Sequence, residues 1–496
     1  MLEKDIEGDA GNDTNEDRGG GIINDPFDPL DSQRGRSTTV RGANQEHHST
    51  TDCGGLVVED DESDERTCRN DSRSKSRSRP RKSFRDEMKR ITLHFTPSWF
   101  SVNMGTGITS ILLHELPYQF KGLRIIADII FGLNVVLFLL FLGISIARYT
   151  IWPQMGPLML FHPSQSLFLG TFAMGMTTIV SMSAIAAAPA WGNGFVIFTW
   201  ILWWITVILA IVICTGLPFI QFTRHVQSLE QMSAIWLLPL VTPVVTASSG
   251  GIVADILPPS HARLTLIVSY IIWGMGFGTA YLVMSIYYAR QAIHKIPPAA
   301  IIVSVFLPLG PCGQGAFGLL KMSSVLYKLA RQDGQVMGSI NAISPSDIFS
   351  TKAEAQIMAS AIYAVSIPIA LVLWGLGLFW LILAVSTLID LAKVSKLQFN
   401  LGWWGFTFPI GVFSSAAVQF GKELDSGFFR IFGTVLSLIE VALWLTVSSF
   451  TVLRVIEGHI PFSPCLAEQG GEPPRTLAPS RKYTYQPRET TVPNST

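Results

Sequence analysis

Residues 122–149 read GLRIIADIIFGLNVVLFLLFLGISIARY. So long a run of apolar residues exceeds the roughly 20 residues that one bilayer crossing takes. Nine further apolar segments lie near 98–116, 164–187, 193–216, 233–254, 262–289, 299–325, 355–389, 400–420 and 427–456. Turn chemistry separates them at Leu116-Pro117, Trp152-Pro153, Pro189 to Gly194, Pro258-Pro259, Pro297-Pro298 and Asp425-Ser426-Gly427. The longest polar break, about 326–354, is expected to be the largest loop. Of the 496 residues, 48% are hydrophobic and only 15% charged, where a soluble domain carries about 25% charged. A soluble core cannot absorb so much apolar length, so residues 91–457 are expected to be a ten-helix membrane domain.

The flanks differ in composition. Residues 1–90 are rich in Gly, Asn, Asp, Ser and Arg, have little to bury and are expected to be a disordered tail. The tail is acidic to Glu65 and basic from Arg66 to Arg90. A basic block beside the first span satisfies the positive-inside rule and faces anionic lipid, which places the N-terminus in the cytosol. Nucleic-acid binding is the competing reading of that block, and the weaker one in a membrane protein. Ten spans return the C-terminal tail, 458–496, to the same side. The sequons at Asn12, Asn70 and Asn494 lie in these tails and are expected to be unused. A polar start argues against a cleavable signal peptide. Cys53, Cys68, Cys214, Cys312 and Cys465 show neither paired nor metal-ligand spacing and read as free thiols. No cofactor or metal site is expected.

Alternate spans carry one local pattern. The third has Phe172-Ala173-Met174-Gly175, the fifth Leu238-Pro239-Leu240-Val241, the seventh Leu307-Pro308-Leu309-Gly310 and the ninth Phe408-Pro409-Ile410-Gly411. The first has a related glycine pair, Met104-Gly105-Thr106-Gly107. Each sets a helix breaker near mid-span, and a broken helix in a bilayer must face protein or a wet cavity. The expected fold is therefore all-α, five helical hairpins whose odd members line a central pore and whose even members face lipid.

Such a pore would offer few charges. Asp128 and Glu440 are the clearest intramembrane acids, and both fall on even helices, where structural pairing or snorkelling is expected. No chain of buried carboxylates or histidines suggests a proton relay, and no ring of buried Lys or Arg is evident. The odd spans supply small polar and backbone groups instead: Asn103, Gly105, Thr106 and Gly107; Thr171 and Gly175; Pro239, Thr242, Thr246, Ser248 and Ser249; Pro308, Gly310 and Gln314; Thr407 and Pro409. Exposed N–H groups at a helix break hold an anion weakly, which suits throughput. For each hydroxyl, a bond back to its own helix is the competing reading. Phe172, Phe406 and Phe408 lie at or beside breaks, where a ring can plug a narrow pore; ordinary packing is the alternative. His162 is a candidate pH sensor, with capping or interfacial anchoring as the competing role.

These segments resemble a known family. Phe95-Thr96-Pro97-Ser98-Trp99-Phe100, Asn103 to Ile108, His162-Pro163, Gln165 to Phe172, Ala247 to Ala254, Ser304 to Pro311 and Gly402 to Pro409 are similar to segments of the tellurite-resistance/dicarboxylate transporter family, which includes the plant slow anion channels. Within it, the chain resembles the fungal sulfite efflux pumps. The resemblance covers about residues 91–456 and none of the tails. It implies ten helices in five hairpins around a pore, a homotrimer with one pore per subunit, and gating by a phenylalanine of the ninth helix, here Phe408 of Thr407-Phe408-Pro409. Ala173 departs from the pattern where proline is expected, so the third helix is expected to bend at Gly170 and Gly175.

The function so implied is sulfite export at the plasma membrane. A malate or other dicarboxylate permease, or a nitrate or chloride channel, is the alternative on the same fold. A non-transporting scaffold or receptor working through its tail, where Ser72 to Ser78 reads as phosphorylatable, is the alternative of another class. No nucleophile–base set or phosphate loop suggests an enzyme.

Overall fold

The computed structural model describes residues 84–337, 352–394, 397 and 399–457. Most of the N-terminal tail and all of the C-terminal tail lie outside these residues. So do the three sequons, the Ser72 to Ser78 stretch, Cys53, Cys68 and Cys465. Cys214 and Cys312 are free and buried.

The described residues contain helices and no strand. In chain order the helices are α1 (Phe84–His94), α2 (Phe100–Glu115), α3 (Leu123–Ile151), α4 (Met155–Leu160), α5 (Leu169–Met182), α6 (Ala188–Trp191), α7 (Asn193–Thr223), α8 (Leu237–Ala254), α9 (Pro259–His294), α10 (Leu309–Asp333), α11 (Lys352–Val394), α12 (Trp404–Glu423) and α13 (Gly427–Ile456). Among them are nine segments long and apolar enough to cross a membrane. The remaining expected span is α2, whose 16 residues reach only about 24 Å, although 14 of them are buried.

Burial alternates along the chain. The spans containing α5, α8, α10 and α12 bury 67–100% of their apolar windows, while α3, α7, α9, α11 and α13 bury 17–33%. Away from their end turns the backbone polar groups of α3 and α9 are satisfied within the helix, so their apolar side chains are free to face lipid. The buried helices and α2 form a closed ring: α2 packs on α5, α5 on α8, α8 on α10, α10 on α12, and α12 on α2 again. Each outer helix packs on the inner helix that precedes it, as α3 does on α2 and α13 on α12.

Several expectations are corrected by this arrangement. The breaks lie at the starts of the inner helices rather than near mid-span. Each inner helix begins from a 3-10 turn: Pro97–Trp99, Ser166–Phe168, Ala234–Trp236, Ala299–Phe306 and Leu401–Trp403. The five turns touch in a second closed ring, so all five inner helices start at one end. Proline suits such starts because its fixed φ and missing N–H cost little in a first turn. Pro239 sits in the first turn of α8 and Pro308 caps α10, whereas Pro409 lies inside α12.

α2 runs unbroken through Gly105 and Gly107, and α5 through Gly170 and Gly175. These glycines are points of close approach instead. A Cβ on Gly107 would fall 2.0 Å from Thr178 Oγ1, and one on Gly170 would fall 2.7 Å from the Leu238 carbonyl oxygen. Small residues of this kind let membrane helices approach closely. The irregularity of the third span is a π-helical turn, Ser183–Ala187, joining α5 to α6. The large polar loop is also shorter than expected, because α10 continues to Asp333 and α11 starts at Lys352. Polar side chains here extend a helix beyond the apolar layer, and Arg263 Nη1 on α9 meets Asp333 Oδ2 at 2.6 Å.

Candidate functional site: the axis of the inner ring

Each 3-10 turn ends on an aromatic residue: Trp99, Phe168, Trp236, Phe306 and Trp403. This repeat escaped the sequence reading, which aligned the chain on helix breakers. It also sets the register. Met104, Val241 and Phe408 each lie five residues past the aromatic, whereas Phe172 lies four past Phe168. One residue is about 100° of helix rotation, so Phe172 and Phe408 are not equivalent.

The neighbours of α12 fix which way Phe408 faces. Thr407 and Gly411 turn toward α2: a Cβ on Gly105 would meet Thr407 Oγ1 at 2.4 Å, and a Cβ on Gly411 would meet Ile108 Cγ1 at 2.6 Å. Val412 and Phe413 turn toward α10 at Gly313. Phe408 lies between these two directions and therefore faces into the ring. Phe406 is about 200° away on the same helix, and its ring packs edge-on against Phe306 at 4.9 Å. Phe172 packs against Phe100 at 5.0 Å and stacks on Phe138 of α3 at 5.6 Å. The structure thus separates the three expected gate residues and leaves Phe408 alone on the axis.

Most of the expected polar pore residues occupy helix seams. Asn103 Nδ2 donates to Asn134 Oδ1 (3.0 Å), and Asn134 Nδ2 donates to Thr178 Oγ1 (3.3 Å), tying α2, α3 and α5. Trp444 Nε1 donates to Thr106 Oγ1 at 3.1 Å, on the α13 side. Thr171 Oγ1 lies 3.0 Å from the Pro97 carbonyl oxygen. Thr242 and Thr246 bond back to Leu238 and Thr242, and Thr407 to Trp404. Ser248 Oγ lies 2.9 Å from the Gln314 carbonyl oxygen, at the α8–α10 seam. Ser181 Oγ donates to Ser249 Oγ at 3.0 Å, at the α5–α8 seam. Gly175 faces Asn103 Cβ, at 3.1 Å from its own ideal Cβ position. A hydroxyl in an apolar interior needs a partner, and the adjacent carbonyl is the nearest.

Gly310 and Gln314 behave differently. A Cβ on Gly310 would meet only Val241 Cγ1, at an ordinary 3.7 Å. Gln314 lies one turn further along α10, on the same side. Lys321 and Lys328, seven and fourteen residues past Gln314, both line a cavity of about 490 Å³. The cavity lies toward the ends of α2, α10 and α12, away from the five 3-10 turns. Its lining residues nearest the starts of α2, α8, α10 and α12 are Ile111, Ile252, Phe317 and Ser415. Phe408 precedes Ser415 by seven residues, about 10 Å along α12. The path from Phe408 is thus apolar at its start, weakly polar at Gln314 and Ser415, and charged at the cavity, which Glu115, Lys321, Lys328, Lys422 and Glu423 line.

Comparison with known proteins places this ring. The family model for the voltage-dependent anion channel, SLAC1, matches residues 94–452. The chain belongs to the SLAC1 family. It is 45% identical over 364 residues to the sulfite efflux pump SSU1 of Arthroderma benhamiae, covering 73% of this chain and 91% of that protein. The SSU1 sulfite efflux pump of Trichophyton rubrum matches with the same identity and coverage. The malic acid transport protein of Schizosaccharomyces pombe is 26% identical over 397 residues, 80% of this chain and 86% of that one. The chain is a multi-pass membrane protein of a family of anion channels and transporters.

In this SLAC1-family chain the two acids have separate places. Asp128 is exposed on α3. Glu440 is fully buried on α13, and its Oε1 lies 2.9 Å from Thr109 Oγ1. Thr109 Oγ1 also lies 2.8 Å from the Gly105 carbonyl oxygen. A glutamine at 440 can donate to Thr109 while Thr109 donates to Gly105. Glu440→Gln is therefore expected to change stability by less than about 1 kcal/mol. Glu440→Lys sets an uncompensated cation in the α2–α13 seam and is expected to cost at least about 3 kcal/mol. Thermal unfolding of the detergent-solubilised variants measures both.

His162 Nδ1 accepts from the backbone N–H groups of Ser164 and Gln165, at 3.2 and 3.3 Å. This is the capping geometry, at the foot of the Ser166–Phe168 turn. The lysines of the cavity were missed as a group. Lys328 and Lys422 read as loop residues, and the seven-residue spacing of Lys321 and Lys328 was the available signal.

Proposed function

We propose that this chain exports sulfite across the plasma membrane, through the axis of the inner ring, with Phe408 as its gate. The observation that carries the reading is the inward-facing Phe408 in a closed ring of five inner helices that all start at one end. Five helix N-termini gathered there favour an anion without binding it tightly. An inside-negative membrane then drives an anion outward, with about 2.3 kcal/mol per charge per 100 mV. The relatives named sulfite efflux pumps, aligned over 91% of their length, support sulfite as the anion.

In this reading both termini are cytosolic, so the five 3-10 turns form the inner mouth and the 490 Å³ cavity the outer one. α2 counts as the tenth span, the chain forms a homotrimer with one pore in each subunit, and no chemical reaction is catalysed. The similarity to a malic acid transporter supports a dicarboxylate as the second reading. The weakly polar axis favours the smaller anion, because a dicarboxylate gains most from a cation at the waist.

Flux from proteoliposomes holding purified full-length protein separates these readings. Sulfite is expected to move faster than malate, nitrate or chloride at equal concentration. Malate flux without sulfite flux would replace the substrate and keep the conduit. No flux of any anion would remove the transport reading.

A further inference from the structure

The outer cavity holds charges that the rest of the axis lacks, and their pairing is uneven. Lys321 lies seven residues past Gln314 on α10, so it faces the same way about 10 Å further on. Its Nζ is 2.7 Å from Asp255 Oδ2, and Lys328 Nζ is 2.8 Å from Asp255 Oδ1. One carboxylate therefore serves two ammonium groups, and this wall keeps one excess positive charge. Asp255 is the residue just past α8. Burial opposes its ionisation, but Lys321 and Lys328 outweigh that and hold its carboxyl below the usual range.

The other wall is different. Lys422 pairs with Glu115, which also faces His114 Nδ1 at 3.4 Å. Glu423 accepts from two neutral donors, the Tyr363 hydroxyl and Gln419 Nε2. Lys321 and Asp255 are 20% and 27% exposed, Lys328 58%. The inner lysine is thus the more sheltered of the two, where an electrostatic contact is screened less.

The geometry points to Lys321 as a binding residue for a small oxyanion leaving the conduit, with Asp255 as a built-in competitor for the same ammonium group. An oxyanion arriving past Gln314 takes Lys321 Nζ as donor while Asp255 keeps Lys328. The carboxylate returns to Lys321 as the anion leaves. Competition of this kind holds the site weak and its release fast. Lys321 without Asp255 would bind the anion tightly and slow its exit. The inference rests on the export reading, with sulfite as the carried oxyanion. External sulfate offers the same chemistry from the other side.

The test is sulfite efflux from proteoliposomes at graded internal sulfite, with and without external sulfate, for wild type, Asp255→Asn, Lys321→Gln, Lys321→Arg and the Asp255→Asn/Lys321→Gln pair. Asp255→Asn is expected to lower the half-saturating sulfite concentration about tenfold, the worth of one charge-assisted hydrogen bond, and to lower the maximal rate. It is also expected to make the protein sensitive to external sulfate. Lys321→Gln is expected to raise half-saturation, Lys321→Arg to stay near wild type, and the pair to lose the effect of Asp255→Asn.

Should Lys321→Gln fail to fold, Asp255→Asn and Lys321→Arg still decide. Asp255→Asn with unchanged half-saturation and no response to sulfate overturns the site. Lys321→Gln that folds and saturates like wild type overturns it as well. Wild-type protein that moves no sulfite removes the export reading itself, and the inference with it. Normal wild-type flux with insensitive variants removes the inference alone.

Discussion

Phe408→Ala is expected to raise sulfite flux on the order of tenfold or more, the effect of removing an apolar plug worth at least about 1.4 kcal/mol. The ring faces the axis between the α2-facing and α10-facing sides of α12. Val241 and Met104 occupy the same register on α8 and α2, so the constriction is apolar around its circumference. Ala173 and Pro311 hold that register on α5 and α10. A water-filled path closes readily in so narrow an apolar neck, and deleting the largest side chain widens it.

Two controls distinguish gating from general loosening. Phe406→Ala and Phe172→Ala remove rings of equal size that pack against Phe306 and against Phe100 and Phe138. Both are expected to lower stability without raising flux, the buried Phe406 by about 3–5 kcal/mol and the half-buried Phe172 by less. Flux through the purified variants, with thermal unfolding alongside, measures the difference. Equal increases from Phe408→Ala and Phe406→Ala would show leakage through a loosened ring rather than a gate.

Gly313→Val is expected to abolish recovery of folded protein. A Cβ at this position would lie 2.6 Å from Phe413 Cα, 2.7 Å from Phe413 N and 3.0 Å from Val412 C. All three are backbone atoms, so no rotamer change relieves the overlap. α10 and α12 must separate, and that opens the inner ring. Overpacking of this kind costs about 1–3 kcal/mol where side chains can shift, and more is expected where only whole helices can. Gly132→Val on α3 and Gly274→Val on α9 are the controls, since nothing lies within 4 Å of a Cβ at either. Monodisperse yield on size-exclusion chromatography reads the effect. Recovery of Gly313→Val at wild-type yield would show that the α10–α12 seam is softer than its spacing implies.

The membrane class, the approximate spans and the choice of alternate helices as the inner set follow from residues 91–457 alone. Apolar length has no other use at that scale, and glycine and proline concentrate where helices start or touch. The residues alone named Phe408 together with Phe172 and Phe406, and only the family resemblance singled it out. The face each residue presents was not legible. Thr407 and Phe408 are adjacent in sequence, yet one meets Gly105 of α2 and the other faces the axis. Asn103 and Thr106 read as pore candidates, with a bond back to its own helix as the competing reading for the Thr106 hydroxyl. They became seam residues because Asn134 accepts from Asn103 and Trp444 donates to Thr106 from other helices.

The same holds for the charges. Asp255 follows the end of α8, Lys321 and Lys328 lie 66 and 73 residues further on in the middle and later part of α10, and only the α8–α10 packing brings them together. Local composition therefore determined that this chain enters a bilayer as a bundle of helices and which of them lie inside. Helix rotation, at about 100° per residue, was decided only by the tertiary packing of neighbours on both sides of each inner helix, and it sorted those residues into ones that face a neighbouring helix and ones that face the axis.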